Sequence, residues 1–233
     1  MAVSRPSISP RRQPKQQRSL DLYERVISAG ARVFGESGYR STTTNRIAEE
    51  AGVSIGSLYQ YFPNKDAIVA ELIRRHVHVG VAEIASRLAD SSVQSRSLAE
   101  RVEIFVGVTV ALHRDDPALH RVLFEEAPHP PDVLEELRQF EANMVSAVEA
   151  SLASDPEVHV ADVGLAAYLT VTSIESITHR YVSSHPSGFD AEALVRQLTA
   201  LVLSYLQGHM DQRDWPLRSP NHSSSSDQSL PPR

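Results

Sequence analysis

Cysteine is absent from the 233 residues, which excludes disulfides, thiolate metal sites and cysteine nucleophiles and fits a reducing compartment. Long apolar runs are missing as well. The longest, Ile104 to Leu112, falls far short of the roughly 20 residues a membrane-spanning helix needs. The N-terminus alternates Ser, Pro and Arg with no apolar stretch, so it does not read as a secretion signal. Hydrophobic residues make up 41%, slightly under the usual share for a globular domain, and the shortfall is confined to the two ends. A soluble cytoplasmic protein without membrane contact is expected. The length allows one large domain, or a small one joined to a mid-sized one.

The net charge of −6 conceals an asymmetry. Residues 1–75 carry 12 Lys or Arg against 7 Asp or Glu, whereas the remainder carries 11 against 22. One end is attracted to a polyanion and the other is repelled by it.

Half of the 14 prolines lie at the two ends, Pro6, Pro10 and Pro14 and then Pro216, Pro220, Pro231 and Pro232. Residues 1–18 read as a disordered basic tail, and 211–233, with the run Ser223 to Ser226, as a disordered Ser/Pro-rich tail. The inner prolines, from Pro63 to Pro186, read as joints between helices, because proline breaks a helix interior but suits its first turn. Between them apolar residues recur every three or four positions. One stripe runs Val69, Ile73, Val77, Val81, Ile84 and Leu88. Others are Leu98 to Leu112, Val133 to Val148, Val163 to Tyr181 and Leu194 to Leu206. No segment alternates like a strand, so an all-α fold is expected.

The first 75 residues have their own texture. Leu22, Val26, Ala29, Val33 and Phe34 stripe a first helix that Gly38 stops. Thr42 and Thr43 are suited to cap a second helix from Asn45 to Ala51, and Gly52-Val53 make a turn. Ser54 caps a third helix through Tyr61, Pro63 ends it, and Asn64 caps the long helix that follows. Two short helices around a glycine-bearing turn match a helix-turn-helix, though two short helices that merely pack together would look the same. The third helix offers Ser54, Ser57 and Gln60 to base edges, Ile55 to a thymine methyl, and Gly56 for close approach. Tyr59, Tyr61 and Lys65 are spaced to reach phosphates, while Leu58 and Phe62 are expected in the core. Arg40, Thr42, Thr43, Thr44 and Arg46 gather at the start of the second helix, where backbone N–H groups favour anions.

The run from Thr42 to Phe62, TTTNRIAEEAGVSIGSLYQYF, followed by Asn64-Lys65, resembles the DNA-binding domain of tetracycline-repressor (TetR/AcrR-type) regulators. The resemblance covers residues 19–75, with turn, recognition helix and phosphate-binding lysine in order. It implies a three-helix DNA-binding domain followed by a larger helical ligand-binding and dimerisation domain over 76–210. It also implies a homodimer whose last two helices pair with their mates, binding a palindromic DNA operator and usually repressing until a small molecule releases it. By position, base contacts fall on Ser54 to Ser57 and Gln60, and phosphate contacts on Tyr59, Tyr61 and Lys65. The stripes at 163–181 and 194–206 suit such an interface, with burial inside one subunit as the other reading.

An apolar pocket between helices is expected in the acidic part, holding an apolar or weakly polar effector. Phe105, His113, His120, Phe124, Phe140, Met144, Tyr168 and His179 lie on or near inward stripes and are the candidate lining, with plain core packing as the competing role for each. Gly52-Val53-Ser54-Ile55-Gly56 matches the hydrolase G-x-S-x-G elbow but follows a helix where that motif needs a strand. His113-Arg114-Asp115 imitates a kinase triplet without its companions and, with Asp116 and His120, a metal site; Asp115 or Asp116 reads instead as the cap of a helix starting near Pro117. Asn221-His222-Ser223 is a glycosylation sequon by chance. No catalytic residue, metal or cofactor is expected. A helical interaction module with only charge-driven DNA affinity is the alternative.

Overall fold

A computed structural model describes residues 16–90, 93, 95–114, 116–185 and 190–208. The two tails expected at 1–18 and 211–233 lie almost wholly outside these residues. Nine α-helices and no strand occur among the described residues. Helix α1 (Gln17–Ser41) takes in Gln17 and Arg18, the last two residues of the tail expected at 1–18. Its buried face, Tyr23, Val26, Ile27, Gly30, Val33 and Phe34, repeats at the helical period. Gly38 ends the regular helix with φ of +73°, a conformation most side chains avoid.

Helices α2 (Thr44–Glu50) and α3 (Ile55–Tyr61) are short, and both start at expected caps. The Thr43 hydroxyl accepts from the Arg46 N–H at 3.3 Å, and Ser54 Oγ from the Ser57 N–H at 3.1 Å. Asn64 opens the long α4 (Lys65–Ala89) by accepting from the Ala67 N–H at 2.9 Å. Then come α5 (Leu98–Arg114) and α6 (Pro117–Arg121), the latter capped by Asp116 and running into a π-helical turn over Val122–Glu126. Helices α7 (Pro131–Ala153), α8 (Val163–Ser184) and α9 (Ala191–Leu206) are the last among the described residues. Asp115, the other cap considered, lies outside the described residues.

The side chains pack into two cores that meet along α4. The first joins α1, α2 and α3 to Ala67–Ile73 of α4, and it also takes in Val122, Leu123, Ala127 and Val133. Its packing therefore crosses the boundary expected at residue 75. The second joins Ile84 of α4 to α5, α7, α8 and α9. Arg75 holds α4 to Glu24 of α1 at 2.5 and 2.7 Å, while Arg74 reaches Asp132 and Glu136 of α7 at 2.7 and 2.9 Å.

Candidate nucleic-acid interface and regulatory cavity

The local geometry of α2 and α3 follows from which side chains the first core removes from water. Ile47 and Ala48 of α2, Leu58 and Tyr61 of α3, and Phe62 just after it are buried against Tyr23 and its neighbours. The Tyr61 ring stands edge-on to Tyr23 at 5.9 Å, and Phe62 lies 4.8 Å from the same ring. The opposite side of α3 leaves Ser54, Ile55, Gly56, Tyr59 and Gln60 exposed, with Ser57 half-buried beside them. Two apolar or aromatic side chains thus face solvent on a seven-residue helix. The Tyr59 hydroxyl bonds Thr44 Oγ1 at 3.0 Å, which joins the start of α2 to the outer face of α3. Arg40, Thr43 and Arg46 are exposed nearby, and Arg46 donates to Ser37 Oγ at 2.8 Å.

Three expected contact residues are placed differently. Thr42 is buried, because its hydroxyl donates to the carbonyls of Gly38 at 2.8 Å and Val33 at 3.3 Å and so closes the end of α1. Tyr61 contributes its ring to the core, a role expected only of Leu58 and Phe62. Lys65 donates to the Tyr39 carbonyl at 2.6 Å and the Thr42 carbonyl at 3.1 Å, its ammonium 4.0 Å from the centre of the Tyr39 ring. A cation satisfies the carbonyls left over where α1 ends, and that local demand holds Lys65 inward. Burial and a 2.5 Å hydrogen bond to Asp66 raise the Tyr39 phenol above its ordinary value, so it stays a donor.

Two adjoining cavities lie where α4 passes between the cores. A larger one of about 620 Å³ separates α4 from α7 and is lined by Val77, Val81, Ile84, Leu137, Phe140 and Met144 among others. A smaller one of about 230 Å³ shares several of these residues and reaches α5 and α8. Of the expected lining, His113, Phe124, Phe140, Met144 and His179 border the smaller cavity. His120 lies against them, its ring 4.6 Å from Phe124 and 4.4 Å from His179. Phe105 is not at either cavity but buried in the second core, and Tyr168 stands 48% exposed on the outside of α8.

Sequence reasoning missed two polar residues at this place, His76 of α4 and Glu175 of α8. The signal was a charged residue on an apolar stripe: Val171, Glu175 and His179 succeed one another at four-residue steps. His76, His113, His120 and His179 come from four helices, with ring centres 4.3 to 5.5 Å apart. Burial, then the neighbouring imidazoles, lower His76 to about 4, against the opposing pull of Glu175. The same burial lowers His113 and His120, so all three are neutral near pH 7. Burial alone would raise the Glu175 carboxyl, but its hydrogen bond with His179 and the nearby imidazoles hold it below its ordinary value.

The stripes of α8 and α9 sit mostly inside one chain. Ala167, Thr170, Ile174, Leu194, Leu198, Val202 and Leu206 are buried in the second core. The same helices leave Leu165, Tyr168, Leu169 and Ile177 of α8 and Leu201 of α9 exposed, and Ile177 and Leu201 belong to the expected stripes. No helix among the described residues is long and apolar enough to cross a membrane.

Two family models match this chain. "Bacterial regulatory proteins, tetR family" covers residues 26–72, and "Tetracyclin repressor-like, C-terminal domain" covers 97–206. The fatty acid metabolism regulator protein of Bacillus subtilis is 29% identical over 77 residues, 33% of this chain and 40% of that protein. The nucleoid occlusion factor SlmA of Haemophilus influenzae is 28% identical over 159 residues, 66% of this chain and 71% of that protein. The chain thus spans well under half the length of the first of these relatives. Among solved structures, the fatty acid degradation regulator FadR of Bacillus halodurans superposes with a TM-score of 0.64 at 21% identity, over 84% of this chain and 99% of that one. FadR of Bacillus subtilis, described in complex with stearoyl-CoA, gives 0.62 at 20% identity, over 78% and 98%. At these identities the structural likeness is one of fold.

Proposed function

The chain belongs to the tetracycline-repressor family of helix-turn-helix, DNA-binding transcriptional regulators, and from that premise we propose that it is a homodimeric repressor released from a palindromic operator by a small molecule. Its relatives are regulators and not enzymes. Regulators of the family bind DNA and small molecules.

The observation that carries the proposal is the outer face of α3. Ser54 and Gln60 present hydrogen-bonding groups, Ile55 an apolar group and Gly56 a gap, on a helix fixed from behind by Leu58, Tyr61 and Phe62. That combination suits base edges in a major groove. Thr43, Thr44, Tyr59, Arg40 and Arg46 flank it where phosphates would run. Lys65 gives two of its three N–H donors to carbonyls, so a phosphate would take the third. One such helix reads few bases, and two-fold symmetry doubles them across half-sites roughly 34–36 Å apart. The exposed apolar face of α8 and α9 is the surface two copies would bury together.

The effector site is the larger cavity between α4 and α7, with the smaller one as its inner end. Its volume of about 620 Å³ falls in the range of small-molecule sites, and its lining suits an apolar molecule. An acyl thioester, the ligand of one fold relative, is the first effector to test. Bound there, it would shift the dimer toward a spacing of recognition helices that misfits adjacent grooves, by no more than its differential affinity for the two states.

Selection of bound duplexes from a random DNA pool at near-physiological salt, followed by sequencing, tests the proposal. A recovered palindrome is the expected result. Folded protein that enriches no sequence would refute it and favour a helical interaction module with charge-driven affinity.

A further inference from the structure

We propose that His113, Glu175 and His179, with His120 beside them, form a binding site for a divalent transition-metal ion of the zinc type inside the regulatory domain. Their donor atoms already face one another. His113 Nε2 lies 3.1 Å from His179 Nε2, His179 Nε2 lies 3.2 Å from Glu175 Oε2, and the third edge is 4.0 Å. One face of a zinc tetrahedron with bonds near 2.0–2.1 Å has edges of roughly 3.3 Å, so a small inward movement of Glu175 completes the triangle.

The proton arrangement points the same way. His113 Nδ1 lies 2.5 Å from the Thr109 carbonyl, which can only accept, so that nitrogen carries the hydrogen and Nε2 presents a lone pair. Fixing the outer nitrogen of a histidine on a carbonyl is how metal-bound imidazoles are oriented. The Glu175 carboxylate is a second acceptor. One cation placed between them would meet all three donor atoms at once.

His120 supplies an independent observation. It is 97% buried, as its relative exposure is 3%, and neither ring nitrogen has a hydrogen-bond partner. Such a group is costly unless something unseen satisfies it. Its ring centre is 4.7 Å from that of His113 and 4.4 Å from that of His179, so it stands beside the triad, with its nitrogens grouped with those of His113 and His76 rather than with Glu175. His76 also joins His113 and His120 in a set of nitrogens within 4.8 Å of one another. Imidazole and carboxylate donors in a chain without cysteine select zinc, cobalt or nickel over soft ions such as Cu(I).

The test uses the full chain, stripped with a chelator and dialysed, with Zn²⁺ followed by calorimetry and Co²⁺ by visible absorption. The expected result is one ion per chain, the intense Co²⁺ bands of a four-coordinate site, and a higher melting temperature with Zn²⁺. Glu175→Gln, close to isosteric, and His179→Gln should each weaken binding by more than about tenfold, the least that even an outer-shell partner contributes. His185→Gln, at an exposed histidine away from the cluster, should leave it unchanged. Absence of binding at micromolar metal, a pale six-coordinate Co²⁺ spectrum, or binding indifferent to Glu175→Gln and His179→Gln in folded variants would each overturn the assignment. None of these readouts involves DNA, so the site stands or falls apart from the repressor reading.

Discussion

Gly30 lies where α1 crosses α4 inside the first core, and a methyl group added there would come 2.8 Å from Ile68 Cγ2. Ile68 is fully buried and β-branched, so its methyl has little room to rotate away. Two effects of Gly30→Ala oppose each other. Alanine in place of glycine in a helix interior contributes about 0.8–1 kcal/mol of stability. Overpacking a well-filled core costs about 1–3 kcal/mol. We expect the clash to win, for a net loss of about 1 kcal/mol, seen as a lower urea midpoint at unchanged slope when unfolding is followed by far-UV circular dichroism. Ile68→Ala alone should cost about 2–5 kcal/mol. In that background the obstruction is gone, so Gly30→Ala should become stabilising by about 1 kcal/mol, a reversal of sign that a double-mutant cycle resolves. A stabilised Gly30→Ala single variant, or equal effects in both backgrounds, would refute the close approach of α1 and α4 as the reason for glycine at this position.

The proposed DNA-binding face assigns base and phosphate roles to different residues. Gln60→Ala should relax preference at one base position by about 1–3 kcal/mol and leave the salt dependence of binding unchanged, while Arg40→Ala should lower the salt slope by about one at unaltered preference, both by fluorescence titration of operator duplexes. At Gly80, which borders the smaller cavity, an added methyl meets Leu112 Cδ1 at 3.5 Å, an ordinary contact. Gly80→Ala should therefore raise stability by about 0.8–1 kcal/mol in chemical denaturation, opposite in sign to Gly30→Ala. Leu201, 50% exposed on α9, should lie in the dimer interface, and Leu201→Glu should sediment as a monomer at concentrations where the unaltered chain is a dimer.

Helix starts were the most legible part of the sequence, because a cap is a local event. Thr43, Ser54, Asn64 and Asp116 each accept from an N–H three residues on, and the side chain that does so is written at the spot. Gly38 and Gly52, both with positive φ, were legible for the same reason. Which tyrosine of α3 turns inward was not. Tyr59 and Tyr61 have the same chemistry, and the choice is made by Tyr23, thirty-odd residues away on α1. Lys65 is similar: its partners are main-chain carbonyls at the end of another helix, which no side-chain pattern announces. On α8 most of the apolar stripe is buried in the chain's own core while Ile177 is exposed, and Leu165, Tyr168 and Leu169 are exposed beside it. The histidine cluster draws on four separate helices, so no spacing along the sequence could show that His113, His120 and His179, each legible as an inward candidate, meet one another and His76.

Helix α4 has a mechanical consequence. It runs unbroken for 25 residues, roughly 37 Å at 1.5 Å per residue, with its first turns embedded in one core and its later turns in the other. Lys65 and Asn64 fasten its first turn to the junction of α1 and α2 and to its own cap, so α3 rides on that end as a fixed load. The cavities and the histidines border the middle of the rod. A tilt of only about 5° about its far end sweeps the near end through roughly 3 Å over that length, close to one base-pair rise. Angular play of that size would carry α3, the proposed recognition helix, out of step with a duplex.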